Sequence, residues 1–183
     1  MSPVTRPNLP NSLTILRVIA LPFCAYALFK NGGTDSTWQI IAWCGFFLTG
    51  LTDFLDGKIA RARKQVTAFG TFLDPVADKA AIGTAMIGLS LQGRLWWWVT
   101  GAILIREIAV TLLRLIVIRD GVIPASKGGK LKAMCQGFGV GFYILPLPTW
   151  AHLPRDILMA FTIAITYTTG FDYFKKALSR DKK

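Results

Sequence analysis

Long apolar blocks alternate with short polar breaks along the whole of this 183-residue chain. The blocks run roughly over 12–29, 37–56, 74–92, 95–118, 133–148 and 155–174. Several approach the ~20 residues that a helix rising ~1.5 Å per residue needs to cross hydrocarbon. They contain too much Gly, Ala and Leu, and run too long, for buried strands. The breaks fall at Asn31-Gly32-Gly33, Gly57 to Gly70, Gly93, Gly121 to Gly129 and Pro146 to Pro154, where glycine and proline punctuate the chain. The pattern predicts an all-α, polytopic integral membrane protein with six transmembrane helices, forming one domain over 1–183. The fourth block carries Arg106, Glu107 and Arg114, so its later part is expected at the cytoplasmic edge or facing the protein interior. Arg6 precedes the first block, but no small-residue cleavage site follows, so that block reads as a retained helix.

Composition agrees: 52% of residues are hydrophobic and the mean hydropathy is +0.45. The net charge of +11 invites a nucleic-acid reading, but its distribution argues against one. With the N-terminus inside, cytoplasmic segments hold 14 Lys and Arg and outer segments hold three, Lys30, Arg94 and Arg155. That asymmetry is the positive-inside pattern. It sets both termini in the cytoplasm, in a cell (inner) membrane, and some of the charge is available to anionic lipid headgroups. Cys24, Cys44 and Cys135 fall within the blocks and are expected to be small packing residues. His152 is expected in an outer loop.

Four of the ten carboxylates crowd into 26 residues: Asp53, Asp56, Asp74 and Asp78. A carboxylate at the centre of a membrane helix costs ~3 kcal/mol on insertion scales, so four together call for cations. Asp53 and Asp56 are three apart, and Asp74 and Asp78 four apart, so on helices each pair shares a face. The first pair is expected to close the second helix and the second pair to open the third, with Asp74 as N-cap and Pro75 at the first helical position. An all-carboxylate set without His or Cys suits a hard cation, Mg²⁺ or Mn²⁺. Two such ions can clamp the attacking and leaving oxygens of a phosphoryl displacement. Gly57, Ala60 and Gly70 leave room for a headgroup, and Arg61 can reach a diphosphate.

A second, cationic group comprises Arg106 and Arg114, eight apart and so on one helix face. The run Ser126-Lys127-Gly128-Gly129-Lys130-Leu131-Lys132 follows, expected as a basic loop. Charges inside a span are functional by default, and this face suits a phosphorylated, water-soluble substrate. Glu107 pairs with a neighbouring cation or touches substrate.

The aspartate segment reads D-x2-D-G-x2-A-R-x8-G-x3-D-x3-D and fills every fixed position of the motif of the CDP-alcohol phosphatidyltransferases, which the chain resembles over nearly its whole length. The resemblance implies that Asp53, Asp56 and Asp74 hold one metal and Asp53, Asp74 and Asp78 a second. It implies Asp78 as general base, and Asn11, Thr14, Gly57, Arg61 and Thr67 as contacts to the CDP-lipid; homodimers are usual in the family. Four further stretches are most similar to the branch that uses glycerol 3-phosphate: 8–14 before Arg17, Phe72 to Lys79, Arg106 to Thr111 with Arg114, and Gly129 to Lys132. Arg106, Arg114, Ser126, Lys130 and Lys132 then become the acceptor-phosphate set.

The implied reaction passes a phosphatidyl group from CDP-diacylglycerol to sn-glycerol 3-phosphate and releases CMP. Inositol phosphate, or phosphatidylglycerol giving cardiolipin, are the competing acceptors. A divalent-cation transporter is the competing class, but its acids belong near mid-membrane, and an arginine beside them repels a permeating cation.

Overall fold

A computed structural model of the chain describes the backbone of residues 9–62, 68–117 and 127–180, with the side chains of 15–52, 76–113 and 128–175. Among these residues are six α-helices and no strand: α1 (Leu9–Phe29), α2 (Ser36–Ala62), α3 (Ala68–Leu91), α4 (Trp97–Val117), α5 (Lys127–Ile144) and α6 (His152–Arg180). Number and order match the apolar blocks. The chain divides into two compact units, Met1–Gly88 with Ile144–Pro146, and Leu89–Tyr143 with Leu147–Lys183.

In the first unit α1 packs along α2. The inward stripe of α1 is Arg17, Leu21, Cys24 and Leu28, at the three- and four-residue spacing of one helix face. Its outward face carries Leu16, Ile19 and Phe23, all exposed. The helices approach closely at Gly45, where a Cβ would stand 2.7 Å from Cys24 Sγ. Small residues at contacts of this kind let backbones pack when no water drives apolar surfaces together. Arg17 is 3% exposed and its Nε donates to the Thr49 carbonyl at 3.1 Å, tying the two helices by a charged donor.

A tight turn joins α1 to α2. Asn31 takes the left-handed conformation, φ 54°, which asparagine tolerates better than most residues. Asp35 caps α2: its Oδ1 accepts from the N–H groups of Thr37 at 2.9 Å and Trp38 at 3.3 Å. Asn31 Nδ2 donates to Oδ2 at 2.9 Å. These bonds, that of Asn31 foremost, hold the Asp35 carboxyl below its ordinary value.

In the second unit α4 packs against α6. The interior is partly polar: Thr100, Thr162, Thr166, Thr169 and Gln136 are buried beside Ile103, Val140 and Met159. Ser90 and Thr100 hydroxyls bond at 2.7 Å. Large apolar side chains face outward instead, with Trp96, Trp150 and Phe171 more than 70% exposed. Polar groups inside and aromatic ones outside invert the arrangement of a water-soluble bundle. Two described stretches, Ile15–Gly33 and Thr149–Lys175, are long and apolar enough to cross a membrane.

Several expectations change. Helix α2 continues through Gly57 to Ala62 and α3 starts at Ala68, so the aspartate pairs lie inside helices and Asp74 is no N-cap. One glycine costs a helix only ~1 kcal/mol, and neighbours in a membrane bundle compensate the carbonyl that a proline frees. Helix α5 begins at Lys127, so Lys130 and Lys132 are helical, not in a loop; glycine at 128 and 129 does not stop a helix that packing supports. His152 opens α6, its Nε2 3.2 Å from the Leu147 carbonyl oxygen. Cys24 is buried as expected, whereas Cys44 is exposed.

The Gly45 contact predicts coupled substitutions. Gly45→Ala overpacks the α1–α2 seam and costs about 1–3 kcal/mol. Cys24→Ala removes the obstructing sulfur, so the double variant regains most of that loss. Thermal unfolding in detergent of the two single variants and the double variant measures the coupling.

Candidate active site

The aspartate pairs ride on consecutive helices, Asp53 and Asp56 on α2 and Asp74 and Asp78 on α3. With helical backbone at both pairs, the three- and four-residue spacings put each pair on one face. Asp78 is exposed. The side chains of Asp53, Asp56 and Asp74 lie outside the described residues, and among the described ones no three His, Cys, Asp or Glu come together. The donor set itself, four carboxylates with no thiolate or imidazole, fits the oxygen preference of Mg²⁺ or Mn²⁺.

The residues expected around the CDP-lipid distribute as follows. Asn11 and Thr14 sit on the first turns of α1. Gly57, Ala60 and Arg61 lie on the last turns of α2, and Gly70 is in the first turn of α3. Thr67 and Ser126 lie outside the described residues, as does the side chain of Arg114, which α4 carries two turns beyond Arg106.

The cationic group is described in side-chain detail. Arg106 and Glu107 are consecutive on α4, and Arg106 Nη1 donates to Glu107 Oε1 at 2.9 Å. Lys132, reaching from α5, donates to the same oxygen. From the other side, α6 supplies Thr169, whose hydroxyl accepts from Arg106 Nη2 at 2.8 Å. The side chains of Arg106, Lys132 and Glu107 are only 10%, 10% and 14% exposed. Arg106 Nε is buried with no hydrogen-bond partner. Among the described residues, two cations meet one carboxylate here, where water screens charge little. Such a place attracts an anion.

Lys130 does not join. It is exposed, because two residues along a helix turn it ~200° from Lys132. The structure therefore brings together Arg106 and Lys132 of the expected acceptor set and leaves Lys130 outside. It also resolves Glu107, which pairs with both cations at once.

Thr169 was not among the sequence candidates. A signal for it exists: Thr162, Thr166 and Thr169 repeat at four and three residues in a mostly apolar block, the spacing of one buried helix face. Each of the three hydroxyls is buried, as expected of a face turned inward.

Comparison with known proteins gives a consistent result. The family profile for CDP-alcohol phosphatidyltransferase matches residues 7–168. A probable phosphatidylglycerophosphate synthase of Mycobacterium tuberculosis is 49% identical over 93% of this chain and 82% of that protein. A CDP-diacylglycerol–glycerol-3-phosphate 3-phosphatidyltransferase of Rickettsia felis is 34% identical over 92% of this chain and 94% of its own length. One of Bacillus subtilis is 32% identical over 92% and 94%. Among solved structures, the fold is similar to that of Mycobacterium tuberculosis phosphatidylinositol phosphate synthase with CDP-DAG bound. The TM-score is 0.65 at 21% identity, covering 93% of this chain and 87% of that one.

The two lysines of α5 are expected to differ sharply in stability effect. Lys132→Met strips Glu107 of one buried partner and destabilises by about 2–3 kcal/mol, below the ~3–5 of fully buried pairs because these groups keep some water. Lys130→Ala, on the exposed face, stays within about 0.5 kcal/mol. Thermal unfolding of the two variants side by side checks this.

Proposed function

Because the chain belongs to the CDP-alcohol phosphatidyltransferase family and is an enzyme, we propose that it transfers the phosphatidyl group of CDP-diacylglycerol to sn-glycerol 3-phosphate. The observation that carries the acceptor is that relatives matched over more than nine-tenths of both chains are CDP-diacylglycerol–glycerol-3-phosphate 3-phosphatidyltransferases by name. A free hydroxyl of glycerol 3-phosphate attacks the lipid-bearing phosphorus of the diphosphate. The bond from that phosphorus to the oxygen bridging to CMP breaks, CMP departs with the bond's electron pair, and phosphatidylglycerophosphate remains in the membrane.

Asp78 accepts the proton of the attacking hydroxyl, a role that its exposure permits. Asp53, Asp56, Asp74 and Asp78 would hold two divalent cations, Mg²⁺ or Mn²⁺, which when bound neutralise charge on the diphosphate. Arg61 supplies a fixed positive charge for the same diphosphate. Asn11, Thr14, Gly57, Ala60, Thr67 and Gly70 border the CDP-lipid, with the small residues among them leaving room for its headgroup. Arg106 and Lys132, with Arg114 and Ser126, receive the phosphate of the acceptor, and Lys130, on the exposed face of α5, is left out of that set.

The six helices all cross the membrane in this reading, with both termini and the active site on the cytoplasmic side of the cell membrane. The 14-to-three distribution of Lys and Arg supports that orientation. The acyl chains stay in lipid while the acceptor and CMP exchange with the cytosol. The enzyme works as one catalytic domain per chain, in a homodimer.

The test is CMP release by the purified, detergent-solubilised protein with CDP-diacylglycerol, a divalent cation and one acceptor at a time. Glycerol 3-phosphate is expected to support turnover, and inositol phosphate and phosphatidylglycerol are not. Chelation abolishes turnover and Mg²⁺ or Mn²⁺ restores it. Asp78→Asn lowers kcat about 10²–10⁴-fold, the usual contribution of a general base. Charge reversal at Arg106 abolishes use of a phosphorylated acceptor; undiminished activity in that variant sinks the acceptor-site assignment.

A further inference from the structure

We propose that Glu107, Thr169 and Gly170 are positioning residues that fix Arg106 and Lys132 for the acceptor's phosphate; this rests on the acceptor reading given above. Two cations with side chains 10% exposed repel one another strongly where water is scarce. Lys132 in particular stands on a flexible stem that can swing toward water. Glu107 prevents this by accepting from both on one oxygen, Oε1. The carboxylate thus holds the ammonium of α5 beside the guanidinium of α4 before any acceptor arrives.

Thr169 fixes the opposite side of the guanidinium. Its hydroxyl has one proton, and that proton is directed at its own helix, toward the carbonyls of Ile165 at 2.6 Å and Thr166 at 3.1 Å. The oxygen is therefore left to accept, and it accepts from Arg106 Nη2. Glycine at the next position leaves room for the guanidinium. A Cβ at Gly170 would stand 3.0 Å from Arg106 Nε and 3.5 Å from its Cγ. A free arginine tip gives way to such a contact, but this one is bonded at both Nη atoms. Its Nε, buried and without a hydrogen-bond partner, is the donor that α6 crowds.

The three residues therefore act through Arg106 and Lys132, and their loss should be felt by one substrate and not the other. Thr169→Val keeps shape and removes the acceptor oxygen. Gly170→Ala displaces Nε. Glu107→Gln keeps shape and removes the charge that joins the cations. In the full-length protein in detergent, KM for glycerol 3-phosphate is expected to rise at least about tenfold in each, as small misplacements of binding groups do. KM for CDP-diacylglycerol should stay constant in all three, and Thr169→Ser should restore the wild-type value.

Three results overturn the proposal: an unchanged KM for the acceptor, a fall in that KM on Glu107→Gln, or an equal rise in both KM values with lowered Tm. Wild-type turnover in the same assay tests the acceptor reading separately. If the wild type prefers another phosphorylated acceptor, the acceptor reading fails, and the positioning role stands or falls on the KM for that acceptor in the same variants.

Discussion

A charge that leaves water must be met by another charge or by a committed hydrogen-bond partner, and the described interior of this protein is arranged around that requirement. Arg17 enters the α1–α2 seam on the Thr49 carbonyl. Arg106 and Lys132 enter the second unit on Glu107 and Thr169. Each arrangement joins separate helices, so the partners of the charges also set the packing. Removing a single member leaves the others costly, whereas each complete set is tolerated.

Helix contacts follow the same logic. Large apolar side chains gain little by turning inward when the surroundings are apolar, so many leucines, phenylalanines and tryptophans face outward, and the described interior mixes leucine, isoleucine and methionine with small and hydroxylated residues. Gly45 brings α2 onto Cys24, and Gly170 brings α6 onto Arg106. The first contact is a packing seam. The second places backbone beside a charged group.

What the sequence disclosed depended on how local the signal was. The six helices and their order follow from apolar blocks and glycine or proline breaks, because each block is read from its own residues. The aspartate pairs were legible for the same reason: spacings of three and four residues are enough to define a face. Helix ends were less so. Glycines at 57, 128 and 129 look like stops and Pro75 like a start, yet α2, α5 and α3 run through them, since packing outweighs a cost of ~1 kcal/mol per glycine and ~3 kcal/mol per proline. The pairing of Glu107 with Lys132 spans 25 residues and that of Arg106 with Thr169 spans 63; no spacing rule reaches so far. Arg106 and Lys132 could be nominated as cations, but which acid and which hydroxyl hold them needed the fold. Lys130 shows the converse: adjacent in the basic run, it faces away because a helix, not a loop, carries it.

The tryptophans have an uneven distribution with a practical bearing. All six, Trp38, Trp43, Trp96, Trp97, Trp98 and Trp150, fall within the first eight residues of α2, near the start of α4, or just ahead of α6. Arg106 lies ~12 Å further along α4 than Trp98, at ~1.5 Å per residue. Intrinsic fluorescence is therefore a gauge of the lipid or detergent around those helix starts. None of the six indoles reports directly on the surroundings of Arg106 and Lys132, and following that cluster by light requires a reporter introduced further along α4 or α6.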